Sequence, residues 1–383
     1  MPGQTLISPP PSAARLRISA SLALLMLGAL GAATLAGCGN GSSLTAAPAV
    51  EELRAAGFAE YLGRQTPSRI EQSGAWTIYH FDPAEEGAIC LSGAPYQVGT
   101  RRGRSNQTLV FLQGGGACWD HLSCYVLGTA VTQAGGPPDI GILDLDQPGN
   151  PFADWNVVYA PYCDGSVFIG DRTVDYGGRR TFHHGLRNLS VATDAALRDF
   201  PDSERVVVSG SSAGGYGTFA GYGVFRSAFP ETPILIFNDS GPGLQNMASS
   251  ADIQSRTVNW NFNRLIPPSC TECTSTQQYT FLLPWAFERD PWLRVAMYSY
   301  QQDGTISFFI DLSGPEYQDL LLDVTGQVQA RYPERLARYF PEGSTHTVLM
   351  SPEFHTQTVN GVGLRDWTQA FIDDTSPWVD VIE

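Results

Sequence analysis

The fold is decided by the stretch VVVSGSSAGG, which occupies residues 206–215. Three consecutive valines are typical of a buried strand, and the small residues after Ser212 open a helical pattern. Between the two stands Gly-x-Ser-x-Gly at residues 210–214, a motif that places its serine on a sharp strand-to-helix turn. Ser212 is therefore the candidate nucleophile, whereas Ser211 lacks glycines at both flanking positions of the motif.

Strands and helices alternate on both sides of this stretch. Short continuous apolar runs predict buried strands at residues 108–113, 155–162, 205–210, 233–239 and 292–300. Helical spacing between them predicts helices at residues 186–200, 213–228 and 317–332. The alternation indicates the α/β class, with a mostly parallel sheet covered by helices on both faces, and the serine turn specifies the α/β-hydrolase fold.

A glycine-rich loop follows the first of these strands. The run at residues 108–112 leads directly into QGGGACWD at residues 113–120. Glycines in this position let the backbone approach a ligand closely, and in the α/β-hydrolase fold the loop donates N–H groups to an oxyanion. We expect Gly115, Gly116 and Ala213 to supply these donors.

The chain order nucleophile, acid, base selects the remaining partners. Of the six histidines, only His346 and His355 follow Ser212, and His346 is favoured because it lies in a loop near the chain end. Two acids compete to orient it. Asp303 follows the second strand after the nucleophile, the commoner position for the acid, whereas Asp239 ends the first and is expected to hold N–H groups of its own glycine-rich turn.

The N-terminus has the pattern of an export signal. Arg15 and Arg17 precede an apolar run at residues 18–35, which ends in Leu-Ala-Gly-Cys at residues 35–38. This pattern resembles a bacterial lipoprotein signal, so residues 1–37 are predicted to be removed and Cys38 to be acylated. The alternatives are an ordinary signal peptide or a membrane-spanning anchor. Residues 38–50 then form a flexible tether to a domain at residues 51–383, and the chain is exported and held at a bacterial membrane.

Six further cysteines suggest disulfides in an exported chain, although six cysteines allow fifteen pairings. Cys118 with Cys124 and Cys270 with Cys273 are close enough to form small loops, and Cys90 with Cys163 would then follow. Zinc is a competing use of Cys270 and Cys273. No second cysteine pair and no histidine pair at ligand spacing accompanies them, so no metal site is predicted.

Composition narrows the function classes. The net charge is −15 over 383 residues, which makes a nucleic-acid partner unfavourable. Every one of the 23 basic residues is arginine, so lysine-based chemistry is excluded, and no cofactor is expected.

A stretch at residues 249–290 interrupts the rhythm of strand and helix. It is rich in aromatic residues, namely Trp260, Phe262, Tyr279, Phe281 and Trp285. These side chains either form a cap over the site or pack into the core.

Four motifs give the chain a family resemblance. They are GGGAC at residues 114–118 with Cys124, NVVYAPYC at 156–163, GSSAGG at 210–215, and DSG at 239–241. In this order they resemble the pectin acetylesterase and Notum family of carboxylesterases. Departures are Gly116, where Notum has an aromatic residue, and the absence of the family's cysteine near the histidine.

The resemblance implies a serine carboxylesterase that removes acyl groups, most simply acetyl, from a carbohydrate. It places the nucleophile on Ser212, the acid on Asp303 and the base on His346, with oxyanion donors at Gly115, Gly116 and Ala213. It also pairs Cys118 with Cys124 and Cys90 with Cys163. A lipase, polyester depolymerase or thioesterase would use the same triad, and a glycan-binding lipoprotein without chemistry is a third class.

Charge bears on the substrate that the family name suggests. Pectin is a polyanion, and an acidic protein repels it unless a local basic patch compensates, since exposed charges act only within about 8 to 10 Å. Neutral acetylated glycans or small esters therefore fit at least as well.

Overall fold

A ten-stranded sheet runs through the computed structural model, which describes residues 45–375 and 378–383. The strands of the described residues, including four that lie outside this sheet, are β1 (Arg69–Ser73), β2 (Trp76–Phe81), β3 (Tyr96–Arg101), β4 (Gln107–Leu112), β5 (Asn156–Ala160), β6 (Arg172–Asp175), β7 (Arg180–His183), β8 (Arg205–Ser211), β9 (Ile234–Asp239), β10 (Arg294–Tyr298), β11 (Leu336–Phe340), β12 (Thr358–Val359), β13 (Val362–Gly363) and β14 (Val381–Ile382). The sheet order is β1-β2-β3-β5-β4-β8-β9-β10-β11-β14. Strands from β5 to β14 in this order are parallel, and β1 to β3 extend the sheet in antiparallel fashion. Strands β6 with β7 and β12 with β13 form separate hairpins.

Helices cover both faces of the sheet. They are α1 (Ala47–Ala55), α2 (Gly185–Asp199), α3 (Ala213–Ala228), α4 (Ser250–Trp260), α5 (Thr271–Thr276), α6 (Leu282–Arg289), α7 (Gly304–Phe309), α8 (Gly314–Arg331) and α9 (Leu364–Asp373). Short 3-10 segments lie at Gly141–Leu143, Phe262–Leu265, Tyr279–Phe281 and Pro352–His355, and a π-helical segment at Leu122–Leu127. No helix among the described residues combines the length and the apolar character that a membrane crossing requires.

The central strands are apolar on both sides, which is why they read as continuous runs in the sequence. In β8, Val206 and Val208 pack into the core that contains α2 and α3, whereas Val207 points to the opposite core with Trp367 and Phe371 of α9. The predicted α/β-hydrolase fold class is confirmed, and each predicted buried strand and helix has a counterpart in the structure.

The antiparallel strands were not predicted from the sequence. All five residues of β1 are exposed, so this strand has no buried apolar run that the sequence could reveal. This part of the sheet depends on pairing with β2, which also has partly exposed positions.

The predicted tether at residues 38–50 is too long. Helix α1 begins at Ala47, and Ala46 and Ala49 are fully buried against the core, so this part is packed structure. The Arg54 side chain donates to the Ser227 carbonyl at 2.6 Å, which fixes α1 to the end of α3. The remaining residues of the predicted tether up to 44, the export signal and Cys38 lie outside the described residues.

A buried ion pair holds the far end of helix α3. Arg226 and Asp290 have fully buried side chains, and Nη2 of the arginine lies 2.8 Å from the carboxylate. Tyr222 donates to the same carboxylate at 3.0 Å, and the arginine also donates to the carbonyls of Phe229 and Thr232. Because a buried charge needs such partners, this network fixes the helix that carries the candidate nucleophile.

Three disulfides are formed in the structure. They join Cys90 to Cys163, Cys118 to Cys124, and Cys270 to Cys273. The last pair uses both cysteines of the competing zinc reading. Within the described residues, no group of three or more metal-ligating side chains is brought together.

Candidate active site

Ser212 occupies a strained turn between β8 and α3. Its φ of 59° and ψ of −120° are unusual for a residue with a side chain, and such strain is concentrated at functional sites. The turn is held by its neighbours, because the Ser212 N–H donates to the Asp239 carbonyl at 2.8 Å. A Cβ on Gly214 would lie 1.9 Å from the Leu112 carbonyl oxygen, so glycine is required for α3 to pass this close to β4.

The loop after β4 lies beside this turn. Gly116 has a φ of +78°, and a Cβ there would lie 1.9 Å from the Thr129 carbonyl oxygen, so only glycine fits. Among the described residues, the N–H groups of Gly115, Gly116 and Ala213 donate no hydrogen bond. Gly116 and Ala213 border the cavity that Ser212 faces, whereas Gly115 lies against the Tyr162 ring and does not border it.

His346 and Asp303 are in direct contact. The His346 Nδ1 lies 2.8 Å from Oδ2 and 3.0 Å from Oδ1 of Asp303, whose side chain is fully buried. The same carboxylate accepts the N–H groups of Thr305 and Ile306 at 3.0 Å. The two loops that carry the pair are also joined, because the Gly304 N–H donates to the Ser344 carbonyl. A carboxylate on Nδ1 leaves Nε2 as the ring nitrogen that can act as a base.

Nε2 of His346 is buried and has no hydrogen-bond partner among the described residues. The Ser212 hydroxyl therefore forms no hydrogen bond with it, and such contacts often form only when substrate binds. In the structure His346 contacts Asp303 directly. Asp239 connects the loop that carries His346 to the Ser212 turn.

Asp239 joins the two halves of the site. Its buried carboxylate accepts the Ser211 hydroxyl at 2.7 Å and the N–H groups of Val348 at 3.0 Å and Leu349 at 2.9 Å. It therefore ties the residue before the nucleophile to the residues just after His346. Burial raises the pKa of Asp239, against the lowering effect of these hydrogen bonds.

Asp239 was expected to hold N–H groups of its own glycine-rich turn, and this prediction is wrong. The Asn238 side chain holds that turn, accepting from the Gly241 N–H at 3.0 Å and donating to the Gly241 carbonyl at 2.8 Å. No local sequence pattern signals the Asp239 contacts, because they join residues 109 and 110 positions apart.

The other histidines are buried, make structural contacts or lie on the surface. Burial lowers the pKa of His183 to about 3 and that of His184 to about 4, so both are neutral. His355 contacts the Gly141 carbonyl at 2.9 Å, and His80 contacts Glu71. His121 is exposed on the surface.

Ser212 opens onto a mostly apolar cavity of about 110 Å³. One wall comes from the segment at residues 249–290, through Arg256, Trp260, Phe262, Leu265, Ile266, Tyr279 and Leu282. The aromatic residues of this segment divide between the two predicted roles, because Phe281 and Trp285 pack in the core and do not border the cavity. Sequence reasoning missed Arg256, a charged residue within this aromatic wall.

Comparison with known proteins identifies the family. A family model described as Pectinacetylesterase matches residues 71–283, more than half of the chain. The chain belongs to the pectinacetylesterase family. The matched region contains Ser212 and the glycine loop, whereas Asp303 and His346 lie beyond its end.

Individual members of the pectinacetylesterase family match over shorter regions. Pectin acetylesterase 4 of Arabidopsis thaliana is 32% identical over 172 residues, 41% of each chain. Palmitoleoyl-protein carboxylesterase NOTUM of Schmidtea mediterranea is 32% identical over 123 residues, 30% of this chain and 23% of that protein. The matches thus span less than half the length of these relatives.

The fold similarity extends further than the sequence similarity. The structure of the Wnt deacylase Notum from Drosophila superposes with a TM-score of 0.57 and 18% identity, covering 79% of this chain and 94% of that one. The resemblance predicted from the four motifs is confirmed.

Gly116→Ala is expected to lower kcat on p-nitrophenyl acetate by about 10²- to 10³-fold, the loss typical of one oxyanion donor. The added methyl group clashes with the Thr129 carbonyl and moves the Gly116 N–H away from the cavity. Gly128→Ala is the matched control, because its φ is +63° and no atom lies within 4 Å of its Cβ position. Equal losses of kcat in the two variants would show that the Gly116 N–H position is unimportant.

Proposed function

We propose that this chain is a serine carboxylesterase that hydrolyses acyl esters, with acetyl esters of a carbohydrate as the leading substrate class. The observation that carries the proposal is the strained Ser212 turn, which faces a cavity beside unused N–H donors and is tied to a His346–Asp303 pair. The family membership supports ester chemistry, and the names of the Arabidopsis relatives support an acetylated polysaccharide.

The geometry supports a two-step reaction. The Ser212 hydroxyl attacks the ester carbonyl while His346 Nε2 takes its proton, and Asp303 stabilises the imidazolium that forms. The N–H groups of Ala213 and Gly116, which border the cavity, stabilise the oxyanion. His346 returns the proton to the leaving alcohol, which departs as the C–O bond breaks. Water then attacks the acyl-enzyme while His346 takes its proton. His346 returns this proton to the Ser212 oxygen as the bond from that oxygen to the acyl group breaks, and the acid is released.

The cavity favours a second candidate, an esterase for longer acyl groups. Its volume of about 110 Å³ approaches the roughly 150 Å³ of a cavity that holds benzene. Its apolar lining would also favour an acyl chain over water. One relative is named a palmitoleoyl-protein carboxylesterase, so chain length is the property that separates the candidates.

Ser212→Ala is expected to lower kcat on p-nitrophenyl acetate by at least about 10⁴-fold and to abolish labelling by a fluorophosphonate. Ser209→Ala is the matched control, because Ser209 lies in strand β8, three positions before Ser212. The Ser209 hydroxyl is buried without a hydrogen-bond partner among the described residues, so its removal should preserve stability, labelling and activity. A folded wild-type protein that resists the label would refute the serine mechanism.

Chain-length profiling distinguishes the two substrate candidates. We expect kcat/KM on p-nitrophenyl esters to be high for acetyl and butyryl groups and to fall steeply at dodecanoyl and hexadecanoyl, which exceed the cavity volume. The measurement uses monomeric esters below their critical micelle concentrations. A maximum at hexadecanoyl would reject the deacetylase assignment.

We also propose that the protein is exported and held at a bacterial membrane through acylated Cys38. The support is the Leu-Ala-Gly-Cys pattern after the apolar run at residues 18–35. Expression of the full chain in bacteria with labelled palmitate should yield a labelled protein in the membrane fraction, and Cys38→Ala should be unlabelled. An unlabelled wild-type protein would contradict the anchor.

A further inference from the structure

Arg256 places a charge in the wall of the cavity that Ser212 faces. It lies in α4, its residue is 8% exposed, and it is the one charged side chain among the described residues that border the cavity. The remaining wall is almost entirely aromatic and aliphatic. A cation in such a wall is expensive unless it meets an opposite charge.

Within the described residues, Arg256 differs from the other buried arginines. Arg187, Arg226 and Arg338 each contact a carboxylate, at 3.0, 2.8 and 2.5 Å respectively. Arg256 has no carboxylate oxygen within 4.0 Å. Asp252, one helical turn earlier, is near enough to influence it but forms no ion pair with it.

The contacts of Arg256 leave donors unused. Its guanidinium carbon lies 4.9 Å from the Trp119 ring centroid, and Nη1 donates weakly to the Phe309 carbonyl at 3.4 Å. Among the described residues, Nε and Nη2 have no hydrogen-bond partner. Neither atom is fully enclosed, and the Arg256 side chain borders the cavity.

Two polar side chains that border the cavity with Arg256 have hydrogen-bond partners of their own. The Tyr216 hydroxyl donates to the Leu244 carbonyl at 3.2 Å, and the Gln245 amide donates to the Gln277 carbonyl at 2.6 Å. Burial lowers the pKa of Arg256, but a guanidinium stays protonated in a protein. The cavity therefore presents a permanent, partly desolvated cation to whatever enters it.

We propose that Arg256 binds a carboxylate carried by the substrate beside the scissile ester. This inference rests on the proposed function, since it assigns a substrate class to the same site. The carboxylate belongs either to an acyl group that ends in an acid or to an acidic alcohol such as a uronic acid. A planar guanidinium with free donors suits a carboxylate by geometry as well as by charge.

The proposal reconciles an acidic protein with an anionic substrate. The net charge of −15 acts weakly beyond a Debye length of about 8 to 10 Å in salt, whereas a buried cation at contact distance is little screened. Arg256 is thus the local compensation that binding an anion to such a protein requires.

The test compares matched charged and neutral esters with the whole protein. The acyl pair is 4-methylumbelliferyl hydrogen adipate against 4-methylumbelliferyl hexanoate, and the alcohol pair is an acetylated methyl galacturonide against the acetylated methyl galactoside. We expect wild type to prefer the charged ester in one pair. Arg256→Met should lower that preference, measured as a ratio of kcat/KM values, about 10- to 100-fold, as expected for a lost charged hydrogen bond.

Two control variants define the effect. Arg256→Lys keeps the charge and should retain part of the preference. Arg179→Met removes an exposed arginine that lies 4.8 Å over the Tyr125 ring, outside the cavity, and should leave the preference unchanged. If Arg256 serves only to pack against Trp119, Arg256→Met will lower turnover of charged and neutral esters alike, and the unchanged ratio will overturn the proposal.

Calorimetric titration separates this inference from the proposed function. Ser212→Ala protein is titrated with monoethyl adipate, ethyl hexanoate, and the two acetylated glycosides, so binding is measured without turnover. Preferential binding of a charged ester that depends on Arg256 supports the inference even if wild type hydrolyses no ester. Equal binding of charged and neutral members in both pairs would overturn it.

Discussion

The buried carboxylate of Asp239 connects the segments on which the site depends. It ends β9, beside the nucleophile strand, and accepts hydrogen bonds from Ser211 and from the backbone that follows His346. The loop it holds comes from β11, two strands further along the sheet. Desolvating a carboxylate is costly, and three donors offset that cost only if both segments are in place. Assembly of the site is thereby coupled to correct folding of the sheet.

Local chemistry explains which parts of the site could be predicted from the sequence. The turn at Ser212 and the loop at Gly116 require glycines at fixed positions, because backbone atoms approach within contact distance there. Such constraints leave a readable motif. Chain order selects His346 as the candidate base, and in the structure His346 contacts Asp303, which follows the second strand after Ser212.

Long-range packing explains what the sequence could not reveal. The role of Asp239 depends on partners more than 100 positions away, and the exposed strand β1 depends on its pairing with β2. Helix α1 was read as a tether because alanine and proline after a glycine- and serine-rich segment carry little apolar signal. Burial of Ala46 and Ala49 against the core decides its structure instead. The role of Arg256 could not be predicted for a similar reason, since it depends on whether a carboxylate contacts the arginine in the folded structure.

The same contrast between local backbone constraints and long-range packing explains how far the family similarity extends along the chain. Residues 71–283 carry the turn, the glycine loop and most of the cavity wall, where backbone contacts allow few substitutions. The proposed acid and base lie outside this region and need only a carboxylate on Nδ1 and an anchored loop. The loop is anchored here by main-chain N–H groups of Val348 and Leu349, which do not depend on the side chains at those positions. Sequence near His346 can therefore diverge while the fold over the sheet keeps the proposed base in place.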